Sequence, residues 1–221
     1  MRRGTCERAE RPLQKKARMS AIEHRTDFLP FAPGDLPGFA VTHLTQAHWS
    51  VRIWGTLGPF WADAFSLGLS DLGISILRGF ARQDGAGRWI ADFVLSPGTA
   101  SPAPSSLDFL FLASRPPAVR DGGPIVLSHY ALDGGPDVGP SLYLEVRGPD
   151  RVGFLGSLLH ALAGLDLSPR EMMISTRDGE AFDRFFLKTT SGAVPSQEVR
   201  RQLEARLDLA VLDAEPHAAI A

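Results

Sequence analysis

The sequence predicts an α+β fold built from two βαββαβ units in tandem. Three observations predict it. Strands with period-two alternation and helices with one broad apolar face follow each other in that order from Leu142 onward. A stretch beginning near Val51 repeats the first part of the order. Segments rich in Pro and Gly punctuate the blocks, at residues 30–38, 97–106 and 133–140.

The second unit is the more regular. Leu142, Leu144 and Val146 alternate with Tyr143, Glu145 and Arg147, the period of a half-buried strand that Gly148-Pro149 ends. Asp150 reads as an N-cap for a helix from about Arg151 to Leu165, whose Phe154, Leu155, Leu158, Leu159, Leu162 and Leu165 share one face. A strand follows over Leu167–Thr176, with Pro169 near its start, where a missing N–H is tolerated. Asp178-Gly179 marks a hairpin into a strand over Ala181–Thr189. Ser196 then caps a helix carrying Val199, Leu203 and Leu207, and Leu209, Val211 and Leu212 read as a short last strand. This is the split βαβ order of ferredoxin-like folds.

Sliding the chain by 93 residues lays Phe60 on Gly153, Leu72 on Leu165 and Ile74 on Leu167. The first unit therefore reads as a strand at Val51–Gly55, a helix over about Phe60–Leu72, and a hairpin of two strands turning at Asp84-Gly85. Ser105 or Ser106 could cap a short helix through Leu107, Leu110 and Phe111, a run that reads equally as a strand. Ile125–Leu132 reads as the strand that closes the first unit, and residues 39–49 as an extra strand or loop ahead of it. The expected organisation is a leader and loop over 1–45, a first unit over 46–132, a linker over 133–140 and a second unit over 141–215.

Composition narrows the function. The formal net charge of −2 gives no overall basic field for nucleic acid. A basic leader holds seven Lys and Arg before Met19 but no aromatic residue to stack on bases, so it reads as a disordered segment ahead of a start at Met19. With one cysteine, Cys6, there can be no intrachain disulfide or thiolate metal cluster. No run approaches the ~20 apolar residues of a membrane span, and the cytoplasm is the default location. The six histidines (His24, His43, His48, His129, His160, His217) show no metal-binding helical spacing. Neither a nucleophile elbow nor a phosphate-binding glycine loop occurs. His160 reads as exposed, and Glu180 and Asp183, beside the hairpin, as solvated charges. The expectation is a non-enzymatic protein with no cofactor, no metal and no catalytic residue.

At Gly148-Pro149-Asp150-Arg151-Val152-Gly153-Phe154-Leu155 the second unit resembles the ACT-domain signature, in which an Asp-Arg-Pro-Gly-type turn joins first strand to first helix. The similarity continues through Ala161-Leu162-Ala163, Leu165-Asp166-Leu167, Ile174–Gly179 and Asp183-Arg184-Phe185. It is similar to the C-terminal sensor domains of bacterial uridylyltransferases and to two-ACT glycine cleavage system repressor proteins. The first unit departs from the pattern: Leu57-Gly58-Pro59-Phe60 lacks the acidic residue and puts a ring where glycine stands.

The resemblance implies an amino acid bound at the strand–helix turn, at a seam between two ACT units, with Gly148, Asp150, Arg151, Gly153 and Phe154 as the ligand-binding set. The chemistry suits one: helix N-terminal amides and the dipole favour a carboxylate, and Asp150 could receive an amino group. The same residues also have plain structural roles, Asp150 as an N-cap and Gly153 as a point of close packing. The alternative is a protein–protein interaction module that acts by ACT–ACT pairing without a ligand. Two ACT units in one chain can satisfy each other in a continuous sheet, but a homodimer is expected, because Trp49, Trp54, Phe60, Trp61 and Phe65 exceed the aromatic load one small core needs.

Overall fold

The computed structural model describes residues 36–115, 124–133 and 140–212. The leader ahead of Leu36, with Cys6 and Met19, and most of the expected linker lie outside the described residues. The strands are β1 (Gly38–Thr45), β2 (His48–Gly55), β3 (Ile74–Gln83), β4 (Trp89–Pro97), β5 (His129–Asp133), β6 (Leu142–Pro149), β7 (Leu167–Arg177) and β8 (Glu180–Thr189). The helices are α1 (Trp61–Asp71), α2 (Phe109–Ser114), α3 (Phe154–Ala163) and α4 (Gln197–Leu212). All eight strands join one antiparallel sheet in the order β1-β2-β4-β3-β7-β8-β6-β5. The fold is thus α+β, and β2-α1-β3-β4 and β6-α3-β7-β8 follow the same course through it.

The alternation read from the sequence sets which face is buried. Val51 and Ile53 on β2, Phe93 and Leu95 on β4, Leu144 and Val146 on β6, and Phe185 and Leu187 on β8 point into one continuous core. Trp61 and Phe65 of α1 lie in that core with Trp89, Phe93 and Phe109, their rings in edge or tilted contact. Part of the aromatic load that suggested an external partner is therefore buried inside the chain itself.

Three expectations need correction. Residues Leu209–Leu212 are not a strand: nothing in Gln197–Leu212 breaks a helix, and Leu203, Leu207 and Ala210 of α4 are buried along one side. The strand read at Ile125–Leu132 does not close the first unit. His129–Asp133 pairs with β6 instead, in the place beside the first strand that a closing strand would take. At the opposite end β1 takes the corresponding place beside β2, so the extra strand read within residues 39–49 is real. Leu127, wholly buried, donates its N–H to Ala210 O at the end of α4 (3.0 Å), which ties this segment to the second half. Finally, α2 is capped by Asp108, whose carboxylate accepts from Phe111 N (2.9 Å), rather than by a serine.

The two halves of the sheet meet where β3 runs antiparallel to β7, from Arg78 opposite Ser175 to Arg82 opposite Glu171. On the core face α1 and α3 cross closely, and a Cβ on Gly156 would come within 2.9 Å of Leu67 Cδ2 and 3.3 Å of the Leu67 backbone nitrogen. Replacing Gly156 by Val is therefore expected to overpack this crossing and lower stability by about 1–3 kcal/mol, measured by urea denaturation. An unchanged midpoint would show that the helices do not depend on this approach.

Candidate functional site

The turn between β6 and α3 is held from three sides. Asp150 N donates to Gly179 O (2.8 Å) in the β7–β8 hairpin, whose tip residues Asp178 and Gly179 both have positive φ. Phe154 N closes onto Arg151 O (3.0 Å), and Ser157 N onto Gly153 O (2.9 Å). Gly153 is the N-cap, at φ +90°, a conformation that favours glycine. A Cβ there would lie 2.8 Å from Ser70 Oγ of α1, so the space beside Gly153 is already occupied by the neighbouring helix. Asp150, expected as the cap, stands three residues earlier and is left available for other work.

A small recess of about 30 Å³ opens at this turn. Asp150, Arg151, Gly153 and Phe154 line it, with Asp183 of β8, Thr176 of β7, and Ser66 and Ser75 from α1 and β3 of the other half. Gly148 is not among its walls. A Cβ on Gly148 would meet Val126 O at 2.5 Å, so this glycine admits the backbone of residues 126–127. Arg151 is exposed and donates to Pro124 O. Phe154 is buried as a wall of the core.

The recess has a local cause. Opposite β4, strand β3 shifts register between Ile76 and Arg78, and its ladder with β7 begins only at Arg78. Bulges end or bend local pairing, and here Ile74–Ile76 have no partner on β7 and line the recess with Ile174 and Thr176. The β7–β8 ladder is interrupted at the same level: partners run from Met173–Arg184 to Thr176–Ala181. Between them Ser175 gives its N–H to Asp183 Oδ1 (3.3 Å) and its hydroxyl to Phe182 O (3.1 Å).

Asp183 corrects the reading of a solvated charge. It is 1% exposed, whereas Glu180 is exposed. Burial pushes its carboxyl up to about 8, Ser175 N–H opposes the shift, and the nearby Asp150 adds to it. No other hydrogen bond reaches the Asp183 side chain from the described residues. The signal was in the alternation: Ala181, Asp183, Phe185 and Leu187 form the inward set of β8, so period two alone buries Asp183. His160 is likewise only half-exposed. Its Nδ1 lies 3.3 Å from Asp63 Oδ2 across the α1–α3 crossing, and burial raises the Asp63 carboxyl, opposed by the hydrogen bond and charge of His160.

The corresponding corner of the first half is filled. Ala181 pairs with Gly148 and Asp183 with Val146; in the same register Trp89 pairs with Gly55 and Ala91 with Ile53. An indole thus stands in the place of Ala181 and a methyl in the place of the carboxyl. Trp89 packs edge-on against Trp61 at 5.2 Å, and both rings are buried. Ser168 Oγ donates to Pro59 O in the turn (2.8 Å), while its counterpart Ser75 makes no side-chain hydrogen bond among the described residues.

The arrangement defines a class of site: a small polar recess between two halves of one antiparallel sheet, facing a helix N-terminus. Among the described residues no group of three or more His, Cys, Asp or Glu could hold a metal ion, and no helix is long and apolar enough to cross a membrane. No family model matches the chain, and no curated protein matches it. Among solved structures, one described as the crystal structure of aspartate kinase from Synechocystis is similar over 76% of this chain, at 18% identity and a TM-score of 0.44. The match spans 27% of the length of that chain.

The buried carboxyl makes stability depend on pH. A carboxyl that titrates near 3.8 in the unfolded chain and near 8 in the folded one is protonated only in the folded state between those values. Its contribution is fully present below about pH 4, falls by at most about 1.4 kcal/mol per pH unit, and is lost above about pH 8. Asp183→Asn should remove that decline. The difference in unfolding free energy between variant and wild type, measured in urea from pH 4 to 8, is expected to grow in favour of the variant. A constant difference would show that Asp183 is ionised throughout.

Proposed function

We propose that this chain is a non-enzymatic regulatory protein made of two ferredoxin-like, ACT-like units in tandem, and that it senses a small metabolite, an amino acid, at the β6–α3 turn. The first unit comprises β2-α1-β3-β4-α2, with β1 at its edge. The second comprises β6-α3-β7-β8-α4, with β5 at its edge. In each, a strand preceding the unit stands where the fourth strand of βαββαβ would lie.

The observation that carries the reading is the unequal treatment of two equivalent corners. One is filled by Trp61 and Trp89 and closed by Ser168; the other is left as a recess with Asp150 and Asp183 on its walls. The first amides of α3, at Leu155 and Gly156, have no intrahelical acceptor by position, and both residues line the recess. They would take the carboxylate, and the acidic side of the recess would take the ammonium. Because α1 and β3 contribute Ser66 and Ser75, a ligand would touch both halves of the sheet at once. Binding would then stabilise one arrangement of the seam over others, which is how a ligand shifts a conformational equilibrium.

Thermal shift against the twenty amino acids at millimolar concentration tests this. At least one is expected to raise the melting temperature, since a ligand at 100 times its Kd contributes about 2.7 kcal/mol, worth roughly 2–4 °C per kcal/mol in a chain of this size. Ala181→Leu, which narrows the recess toward its tryptophan-filled counterpart, should abolish the shift. No shift with any amino acid would remove the reading.

A second reading is favoured by the outermost strands. Residues 42–45 of β1 and the alternate residues His129, Ala131 and Asp133 of β5 are exposed, and each strand leaves one edge unpaired among the described residues. On that reading the units pair with other ACT-like units and need no ligand. The β3–β7 ladder joins the two halves edge to edge within the chain, which is the geometry such pairing would use. Light scattering tests this second reading: the interaction module is expected to be a dimer without ligand, and a strict monomer with no co-purifying partner argues against it.

A further inference from the structure

We propose that Asp183 is the residue that selects ligands for the recess, receiving the ammonium group of a compact amino acid on its hydrogen-bond-free oxygen. The proposal rests on the reading of the recess as a metabolite site and adds the group that decides which metabolites enter.

The first half of the chain acts as an internal control. At the equivalent register position it carries Ala91, which is wholly buried, so this corner of the fold needs no carboxyl to form. Placing one at 1% exposure is costly unless something compensates it. Within the chain the compensation is partial. Ser175 N–H reaches one oxygen, at 3.3 Å, and the other oxygen takes no hydrogen bond from the described residues.

No cation among the described residues supplies the remainder. The charged residues lining the recess with Asp183 are Asp150 and Arg151. Arg151 is spent on Pro124 O at the outer side of the turn. The other elements packed around Asp183 offer neutral hydroxyls: Ser66 from α1, Ser75 from β3 and Thr176 from β7. Two carboxyls and three hydroxyls, with helix amides a few residues away, complement an ammonium that carries a carboxylate on its neighbouring carbon. At about 30 Å³ the recess has room for the ammonium and little more, so the rest of the ligand would lie toward its mouth.

Selection by Asp183 couples binding to a proton. In the free protein the carboxyl keeps its proton up to about pH 8, with Asp150 beside it resisting a second charge. An incoming ammonium stabilises the carboxylate, and the displaced proton passes to solvent. Affinity should therefore rise by about tenfold per pH unit as pH approaches 8, while the amino acid itself remains protonated at nitrogen.

The test uses the full chain and nine compounds. Glycine, alanine and serine carry both groups; methylamine, ethylamine and ethanolamine lack the carboxylate; acetate, propionate and 3-hydroxypropionate lack the ammonium. Calorimetry at pH 6, 7 and 8, in buffers of different ionisation enthalpy, reads affinity and protons released. The expected result is binding of at least one amino acid, weaker binding of its amine, none of its acid, and release of about one proton per ligand below pH 8. Asp183→Asn is expected to lose at least tenfold in affinity at pH 8 and all of the pH dependence. Affinity that stays flat from pH 6 to 8 without proton release overturns the proposal, a measurement on wild type alone that does not depend on how the variant folds. So does an acid that binds as well as its amino acid, or a folded variant that binds as tightly as wild type. Amino-acid binding with any of these three outcomes leaves the metabolite site standing and removes only the role of Asp183. If none of the nine binds, the proposal falls; a larger amino acid that still shifts the melting temperature would then preserve the site.

Discussion

The antiparallel ladder between β3 and β7 is the contact on which the rest of the structure depends. It pairs only Arg78–Arg82 with Glu171–Ser175, yet it turns two four-stranded halves into one sheet with a single core. It also fixes what lies at its ends. Antiparallel pairing sets the start of β3 against the end of β7, beside the β6–α3 turn. The bulge in β3 stops the ladder short of that point. A recess between halves is the geometric consequence of a seam that is paired in its middle and parted at one end.

Much of this was legible from hydrophobic period and turn chemistry. The strands at Leu142, Leu167 and Ala181, the helix ahead of Leu165, the Asp-Gly hairpins and the repeat offset all follow from spacing of side chains on one face. What was not legible was competition between equally apolar local choices. Leu209–Leu212 suits a strand or a helix, and continuity with the residues before it decides for helix. His129–Asp133 has the alternation of a strand, but alternation does not say which neighbour it pairs with; that is set by where Leu127 is buried against α4.

The site was legible in part. The turn was found through its glycines and its resemblance to a known signature, but its residues have more divided roles than the signature implies. Gly148 admits a backbone segment, Gly153 accommodates Ser70, and Arg151 points outward. The residue with the most unusual environment, Asp183, reads from sequence as a solvated charge because a charge near a hairpin is usually solvated. Its place on the inward side of a period-two strand was the stronger signal. The groups from α1 and β3 lie about a hundred positions earlier in the chain, and only the β3–β7 pairing brings them to the turn.

The two corners, one filled with indole rings and one lined with carboxyls, make the central claim specific about location. An amide NMR titration of the full chain with a binding amino acid tests it most directly. Shifts are expected to saturate together at Ser75 in one half and at Leu155, Gly156 and Ser175 in the other, with the Leu57–Phe60 turn unchanged. Shifts centred on Leu57–Phe60, or confined to one half of the sheet, would contradict it.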